Sequence, residues 1–132
     1  LENPAWYTAY TPYQAEVSQG RMEMLLNFQT MVSDLTQMDI ANCSLLDEGS
    51  SAAEAMNMSH AQNKSKRKKY FVADDCFKQT VACVQTRAKS MGVEVVVGDA
   101  SKLTEDELKE YSGVLVQYPN RHGAVHDYSA LG

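Results

Sequence analysis

The chain has 132 residues, of which 44% are hydrophobic, and a formal net charge of −5 at pH 7. A chain of this size forms one modest domain with a real apolar core, and its negative charge argues against a general nucleic-acid-binding protein, which needs a basic surface. No apolar run reaches the ~20 residues that a membrane-spanning helix requires, so the sequence predicts no membrane insertion.

The first predicted element is a long amphipathic helix over residues 14–37, after an opening rich in Pro and Tyr. Its apolar residues recur at helical spacing and are expected to face the core. They are Val17, Met24, Leu25, Phe28, Met31, Val32 and Leu35. For residues 38–42, the sequence predicts a short strand or an extended connection.

Gly49, Ser50 and Ser51 come next, where a connection turns into a predicted helix over residues 51–62. Ser51 and Glu54 have the spacing of a capping box, which is typical of an ordinary helix start. A helix N-terminus with small hydroxyl residues also suits an anionic group such as phosphate. The spacing leaves both interpretations open.

The basic run over residues 64–69 predicts a solvated loop, with a nucleic-acid patch as the weaker alternative. After it, helical and strand periods alternate in short units. Strands are predicted over residues 70–73, 93–97 and 114–117, and helices over residues 78–91 and 105–111. Thr104 and Glu107 form a predicted capping box at the start of the last helix. This alternation indicates an α/β fold with parallel strands.

The cysteines and histidines show no metal-ligand spacing, so the sequence predicts no metal site. An odd number of cysteines fits a reducing compartment, and the histidines are expected at the surface. The cysteines are Cys43, Cys76 and Cys83, and the histidines are His60, His122 and His126. The chain begins without Met and stops as a new pattern starts, so we expect both ends to be truncated.

Four stretches of the sequence carry a family resemblance. They are "ENPAWYTAYTPYQAEVSQGRMEMLLNFQTMVSDLT", "IANCSLLDEGSSAAEAM", "CFKQTVACVQTRA" and "GVLVQYPNRHGAVHDY". In their order and spacing they resemble the P-protein of the glycine cleavage system, the decarboxylating glycine dehydrogenase, nearly from end to end.

This resemblance implies a fold and an activity. The fold is the mainly parallel-sheet large domain of an aspartate-aminotransferase-type (fold type I) pyridoxal-phosphate enzyme, of which residues 1–132 would be a fragment. Residues 1–37 would be an N-terminal aromatic segment plus a long helix. The intact parent would decarboxylate glycine and pass its aminomethyl group to the lipoyl arm of the H-protein. The resemblance further implies a homodimer or paired subunit, in the mitochondrial matrix of a eukaryote or otherwise in the cytoplasm.

The resemblance also implies site residues. Gly49, Ser50 and Ser51 would cradle the 5′-phosphate of pyridoxal phosphate, and Tyr10 and Tyr13 would line the glycine site.

Two positions depart from the family's pattern. Phe77 and Lys78 stand where the family usually has His-Pro, so Phe77 would keep the stacking face for the cofactor ring but lose the hydrogen bonds of the imidazole. The lysine that bonds the cofactor is expected outside these 132 residues, so the fragment alone should be inactive. Two alternatives stay open: another pyridoxal-phosphate enzyme, and a non-catalytic homologue that acts as a binding or structural subunit.

Overall fold

The computed structural model describes residues 2–3, 19–64 and 66–131. The chain divides into two compact units, Leu1–Leu46 and Asp47–Gly132. In the described part, no helix is long and apolar enough to cross a membrane.

The first unit contains one described helix, α1, at Met22–Thr36, which ends at Gln37 in the left-handed region. Residues 14–18 of the predicted helix lie outside the described residues, and residues 19–21 are not helical, so the prediction is wrong for these three residues. No residue of α1 is buried, and Met24, Phe28, Met31 and Leu35 are 44 to 77% exposed. Among the described residues, the expectation that this face belongs to a core is therefore not met.

An extended connection follows α1. Residues 38–42 form no strand, so of the two predicted alternatives the extended connection is correct. The side chain of Gln29 holds this connection against α1, because its amide donates to the carbonyl oxygen of Ala41 at 2.7 Å.

The second unit alternates helices and strands. Its elements are α2 (Glu48–Gln62), β1 (Lys69–Ala73), α3 (Lys78–Met91), β2 (Glu94–Gly98), α4 (Glu105–Leu108) and β3 (Tyr111–Leu115), with short 3-10 helices at Ala100–Lys102 and Ser129–Leu131. The three strands form one sheet in the order β2-β1-β3, and both pairings are parallel. The predicted α/β class with parallel strands is confirmed.

The core lies around the central strand β1. Four consecutive residues, 70–73, are buried, because β1 is covered on both faces as strands of a parallel sheet usually are. Met56 of α2 and Val84 of α3 are fully buried with them. The ring of Phe71 meets that of Tyr111 edge to face, at 5.4 Å between centroids, which ties β1 to β3.

The start of α2 differs from the prediction. Its N-cap is Asp47, whose carboxylate accepts the N–H of Ser50 at 2.7 Å, so the helix begins three residues before Ser51. The Ser51–Glu54 capping box is wrong, since the Glu54 carboxylate instead accepts from Arg87 at 2.7 Å. An Asp at the N-cap reaches the orphan N–H groups as well as a Ser does.

The other helix starts and strand ends follow the sequence more closely. The helix over residues 78–91 is confirmed at both ends, and the capping box of Thr104 and Glu107 is present. The strands β1 and β2 lie within one residue of their predicted ranges. The strand β3 begins three residues early, because α4 stops at Leu108.

Candidate functional site

A cavity of about 640 Å³ opens at the carboxyl ends of β1 and β3. We call it the main cavity, and its lining is Glu48, Ser51, Ala52, Ala55, Cys76, Phe77, Thr80 and residues 115–120. Open α/β sheets bind their ligands at the carboxyl ends of the strands, and a cavity of this volume suits a small molecule.

Phe77 stands at the mouth of the main cavity and is 37% exposed. It is the N-cap residue of α3, and its N–H donates to Oε1 of Gln117 at 2.8 Å. The amide nitrogen of Gln117 donates in turn to the carbonyl oxygen of Pro119 at 3.2 Å. Gln117 therefore joins the segment after β3 to the start of α3 and fixes the backbone of Phe77.

The first turn of α2 forms another side of the main cavity. Glu48 brings a carboxylate to the lining, where its Oε1 accepts from the buried hydroxyl of Thr80 at 3.1 Å. The hydroxyl of Ser51 donates to the carbonyl oxygen of Asp47 at 2.8 Å. Both hydroxyl protons on this side are thus already used within the protein.

Cys76 lines the main cavity but is not an activated nucleophile. Burial raises the pKa of its thiol to about 11, and the negative charges of Asp75, Glu48 and Asp74 add to the effect. Because the thiolate is the reactive form, Cys76 is a neutral, apolar wall of the cavity at pH 7.

The structure brings together two of the four predicted cofactor residues. Ser51 and Phe77 line the main cavity. Gly49 faces α3 instead, and a Cβ at its position would lie 3.0 Å from Sγ of Cys83. Ser50 lines a separate cavity of about 310 Å³ between α2 and α3. The tyrosines predicted for the substrate, Tyr10 and Tyr13, lie outside the described residues.

A second cavity, of about 320 Å³, lies beside the carboxyl ends of β1 and β2 and is lined by Asp75, Asp99 and His126, among others. Asn120 connects its wall to the main cavity, because its Nδ2 donates to Asp75 at 2.8 Å and lies 3.3 Å from Nε2 of His126. The described residues contain no group of three His, Cys, Asp or Glu side chains that could hold a metal ion.

Sequence reasoning missed Glu48, Gln117 and Asn120 as site residues. Gln117 and Asn120 follow a predicted strand directly, and that position was the available signal, since side chains just after parallel strands meet at one edge of the sheet. Nothing in the sequence distinguishes Glu48 from any acid in the first turn of a helix.

The lining of the main cavity fits an aromatic ring but not a phosphate dianion. Its apolar wall and the ring of Phe77 suit a planar group. No Lys or Arg is among the described lining residues, the hydroxyls of Ser51 and Thr80 are engaged, and Glu48 adds a negative charge. Phosphate sites need charge-assisted donors, which this lining lacks. That Gly49, Ser50 and Ser51 hold a phosphate stays a prediction without support from this donor set.

A parallel β2-β1-β3 sheet with helices between its strands and a cavity at their carboxyl ends defines an α/β protein of the kind found in the large domains of fold type I pyridoxal-phosphate enzymes. The family model described as "Glycine cleavage system P-protein" matches residues 1–132. The chain belongs to this family, whose members generally depend on pyridoxal phosphate.

Curated relatives agree with this family assignment. The chain is 58% identical over 131 residues to the glycine dehydrogenase (decarboxylating) of Synechocystis sp., covering 99% of this chain and 13% of that protein. It is 55% identical over 134 residues to the enzyme of the same name from Christiangramia forsetii, covering 98% of this chain and 14% of that protein. The chain thus spans about one seventh of the length of these relatives.

A solved structure is also similar to this chain. It is a crystal structure of glycine decarboxylase (P-protein) of the glycine cleavage system in inhibitor-bound form, with a TM-score of 0.73 and 30% sequence identity. The match covers 91% of this chain and 28% of that chain. It agrees with the fold type predicted from the sequence.

Proposed function

We propose that the full-length protein decarboxylates glycine and transfers the aminomethyl group to the lipoyl arm of an H-protein. The observation that carries this proposal is the match of all 132 residues to the P-protein family. Two relatives named glycine dehydrogenase (decarboxylating), at 58% and 54% identity, support it.

Pyridoxal phosphate would supply the electron sink for loss of the carboxylate. The described lining of the main cavity does not fit the phosphate of this cofactor, because it offers no basic side chain and its hydroxyls are engaged. The exposed ring of Phe77 supports the predicted contact with a planar ring, and that contact stays a prediction. Tyr10 and Tyr13 are proposed for the glycine site on the resemblance alone.

The contribution of this chain is then mainly to build one part of the enzyme's parallel sheet. One observation favours a non-catalytic role for residues 47–131 within that enzyme: the described lining of the main cavity has no basic side chain and contains a neutral thiol. We further propose a homodimer or paired subunit, and a location in the mitochondrial matrix of a eukaryote or in the cytoplasm of a bacterium.

Exchange of labelled bicarbonate into the carboxyl group of glycine tests the proposed activity. The full-length protein with pyridoxal phosphate and lipoylated H-protein should catalyse this exchange, and omission of the H-protein should reduce it strongly. Absence of exchange in the complete mixture, with a correctly folded protein, would reject the proposed function.

A further inference from the structure

The carboxylate of Glu48 is held at the main cavity although the residue is exposed. Its Oε1 accepts from Thr80, whose side chain is buried and therefore fixed by packing. The carboxylate also acts electrostatically on the cavity, because its negative charge contributes to the raised pKa of Cys76 on the same lining.

No opposite charge compensates Glu48 within this lining. The described lining residues include no Lys or Arg, and the nearest lysine in sequence to Phe77, Lys78, is not among them. Two unit charges about 5 Å apart still repel appreciably near a protein surface, and a phosphate carries nearly two. An anion entering the cavity would therefore meet repulsion from Glu48 without any compensating cation.

We infer that Glu48 excludes anionic groups from the main cavity, which therefore takes a neutral or cationic group with an apolar or aromatic face. Glu48 is a specificity-determining residue in this assignment. The cavity supplies an aromatic ring at its mouth, apolar walls and one carboxylate, which together suit a planar group or an organic cation.

The substitution Glu48→Gln isolates the charge. Gln keeps an oxygen that accepts from Thr80 and has nearly the same shape, so the fold of α2 and the cavity wall should be retained. Glu105→Gln is the matched control, since Glu105 is an exposed acid in the first turn of α4 and does not line the main cavity.

Binding of radiolabelled inorganic phosphate to the full-length holoprotein, measured by equilibrium dialysis at low ionic strength, is the first test. Glu48→Gln should strengthen phosphate binding at one site per chain about tenfold, and Glu105→Gln should leave it at the wild-type level. Equal binding by wild type and Glu48→Gln, or an equal gain in both variants, would overturn the inference. Neither result depends on glycine turnover, so the proposed activity stands or falls separately.

A reporter thiol gives an independent readout. Ala55 lines the main cavity and is exposed, so Ala55→Cys in the full-length protein can react with anionic and cationic methanethiosulfonate reagents, with the site mapped by mass spectrometry. The cationic reagent should react faster, and adding Glu48→Gln should reduce its advantage severalfold, whereas adding Glu105→Gln should not. An unchanged ratio of the two rates with Glu48→Gln would contradict the charge-exclusion role.

Discussion

At the scale of single residues, Asn120 holds the segment after β3 in place. It is buried, and its Oδ1 accepts the N–H groups of His122 and Ala124 at 3.0 and 2.9 Å. Its Nδ2 donates to Oδ2 of Asp75 at 2.8 Å, while Oδ1 of that carboxylate is buried and has no hydrogen-bond partner among the described residues. Asn120 therefore provides hydrogen bonds to the backbone of the turn at residues 120–124 and to one of the two oxygens of the Asp75 carboxylate.

We expect Asn120→Ala to lower the free energy of unfolding by about 2 to 3 kcal/mol, because it leaves several buried polar groups without partners. Urea denaturation of the full-length protein, followed by a probe within this region, is the measurement. Asn57→Ala is the control, since the amide of Asn57 makes only a 3.5 Å contact with Glu54. Equal losses in the two variants would mean that Asn120 does not anchor this segment.

Asp99 gives a pH-dependent contribution at the end of β2. Its pKa is lowered to about 2, first by the hydroxyl of Ser101, then by Lys102 and the N–H of Ser101. A carboxyl whose pKa is lower in the folded state stabilises the fold above its unfolded pKa, and this stabilisation is lost as the pH falls from about 3.8 toward 2.

Asp99→Asn should therefore reduce the loss of stability between pH 4 and pH 2, and leave the dependence above about pH 5 unchanged. Urea unfolding midpoints across that range provide the measurement. Asp39→Asn is the control, because the side chain of Asp39 is exposed and accepts no hydrogen bond from the described residues. If the slopes of wild type and Asp99→Asn coincide below pH 4, Asp99 makes no such contribution.

At the scale of elements, the packing of α2 on α3 explains why small residues begin α2. A Cβ at Gly49 would lie 3.0 Å from Sγ of Cys83, which is closer than most such contacts, and 3.4 Å from Cβ of Cys83, which is an ordinary contact. A side chain at Gly49 would therefore press on Cys83, whereas an Ala at the same position would favour the helix by up to about 1 kcal/mol.

A double-mutant cycle separates the steric effect of the contact with Cys83 from the helix propensity of residue 49. Gly49→Ala alone should be neutral or destabilising, because the steric clash offsets the helix propensity. In the Cys83→Ala background, which removes Sγ, Gly49→Ala should stabilise by about 0.5 to 1 kcal/mol. Thermal or urea unfolding of the four proteins measures the coupling. Additive effects would show that Gly49 does not serve this contact.

The same elements show what the sequence could and could not predict. The range of α3 follows from its apolar spacing and from Gly92, which ends it with φ of 68°. The early start of β3 was not predicted, because the preceding helix is predicted to reach residue 111 but ends at Leu108. A Cβ at Gly113 would lie 2.5 Å from Oγ of Ser59, so the glycine is required by the close approach of α2. Contacts between distant segments of this kind leave no local pattern.

The candidate site was predictable to a similar extent. Two of the four residues that the resemblance assigns to the cofactor, Ser51 and Phe77, line one cavity, and their contact with a cofactor stays a prediction. The resemblance groups Gly49 and Ser50 with Ser51 as one phosphate cradle, but of these three only Ser51 lines the main cavity. In a helix, consecutive residues point about 100° apart, so Ser50 faces Arg87 and a different cavity. His60 is buried, contrary to expectation, because the segment after α2 folds back and its Nδ1 contacts the carbonyl oxygen of Arg67.

At the scale of the whole molecule, the positions of the lysines indicate whether this chain contains the lysine that would bond the cofactor. The chain has eight lysines, and all of them are among the described residues. They are Lys64, Lys66, Lys68, Lys69, Lys78, Lys89, Lys102 and Lys109. None of these lysines lines the main cavity or the two smaller cavities. Seven of them are exposed, and the eighth, Lys69, forms an ion pair with Glu110 at 2.7 Å.

A lysine that bonds a carbonyl cofactor has to lose its proton, which burial in an apolar site favours and full solvation opposes. Borohydride reduction of the full-length holoprotein should therefore place the stoichiometric pyridoxyl label outside these 132 residues. Peptide mapping by mass spectrometry is the measurement, and Lys78→Arg is an informative variant because Lys78 follows Phe77 directly. Its labelling stoichiometry should equal that of the wild type. A single lysine of this chain labelled to one equivalent, with the label lost on its substitution by Arg, would show instead that residues 47–131 carry the cofactor's covalent site.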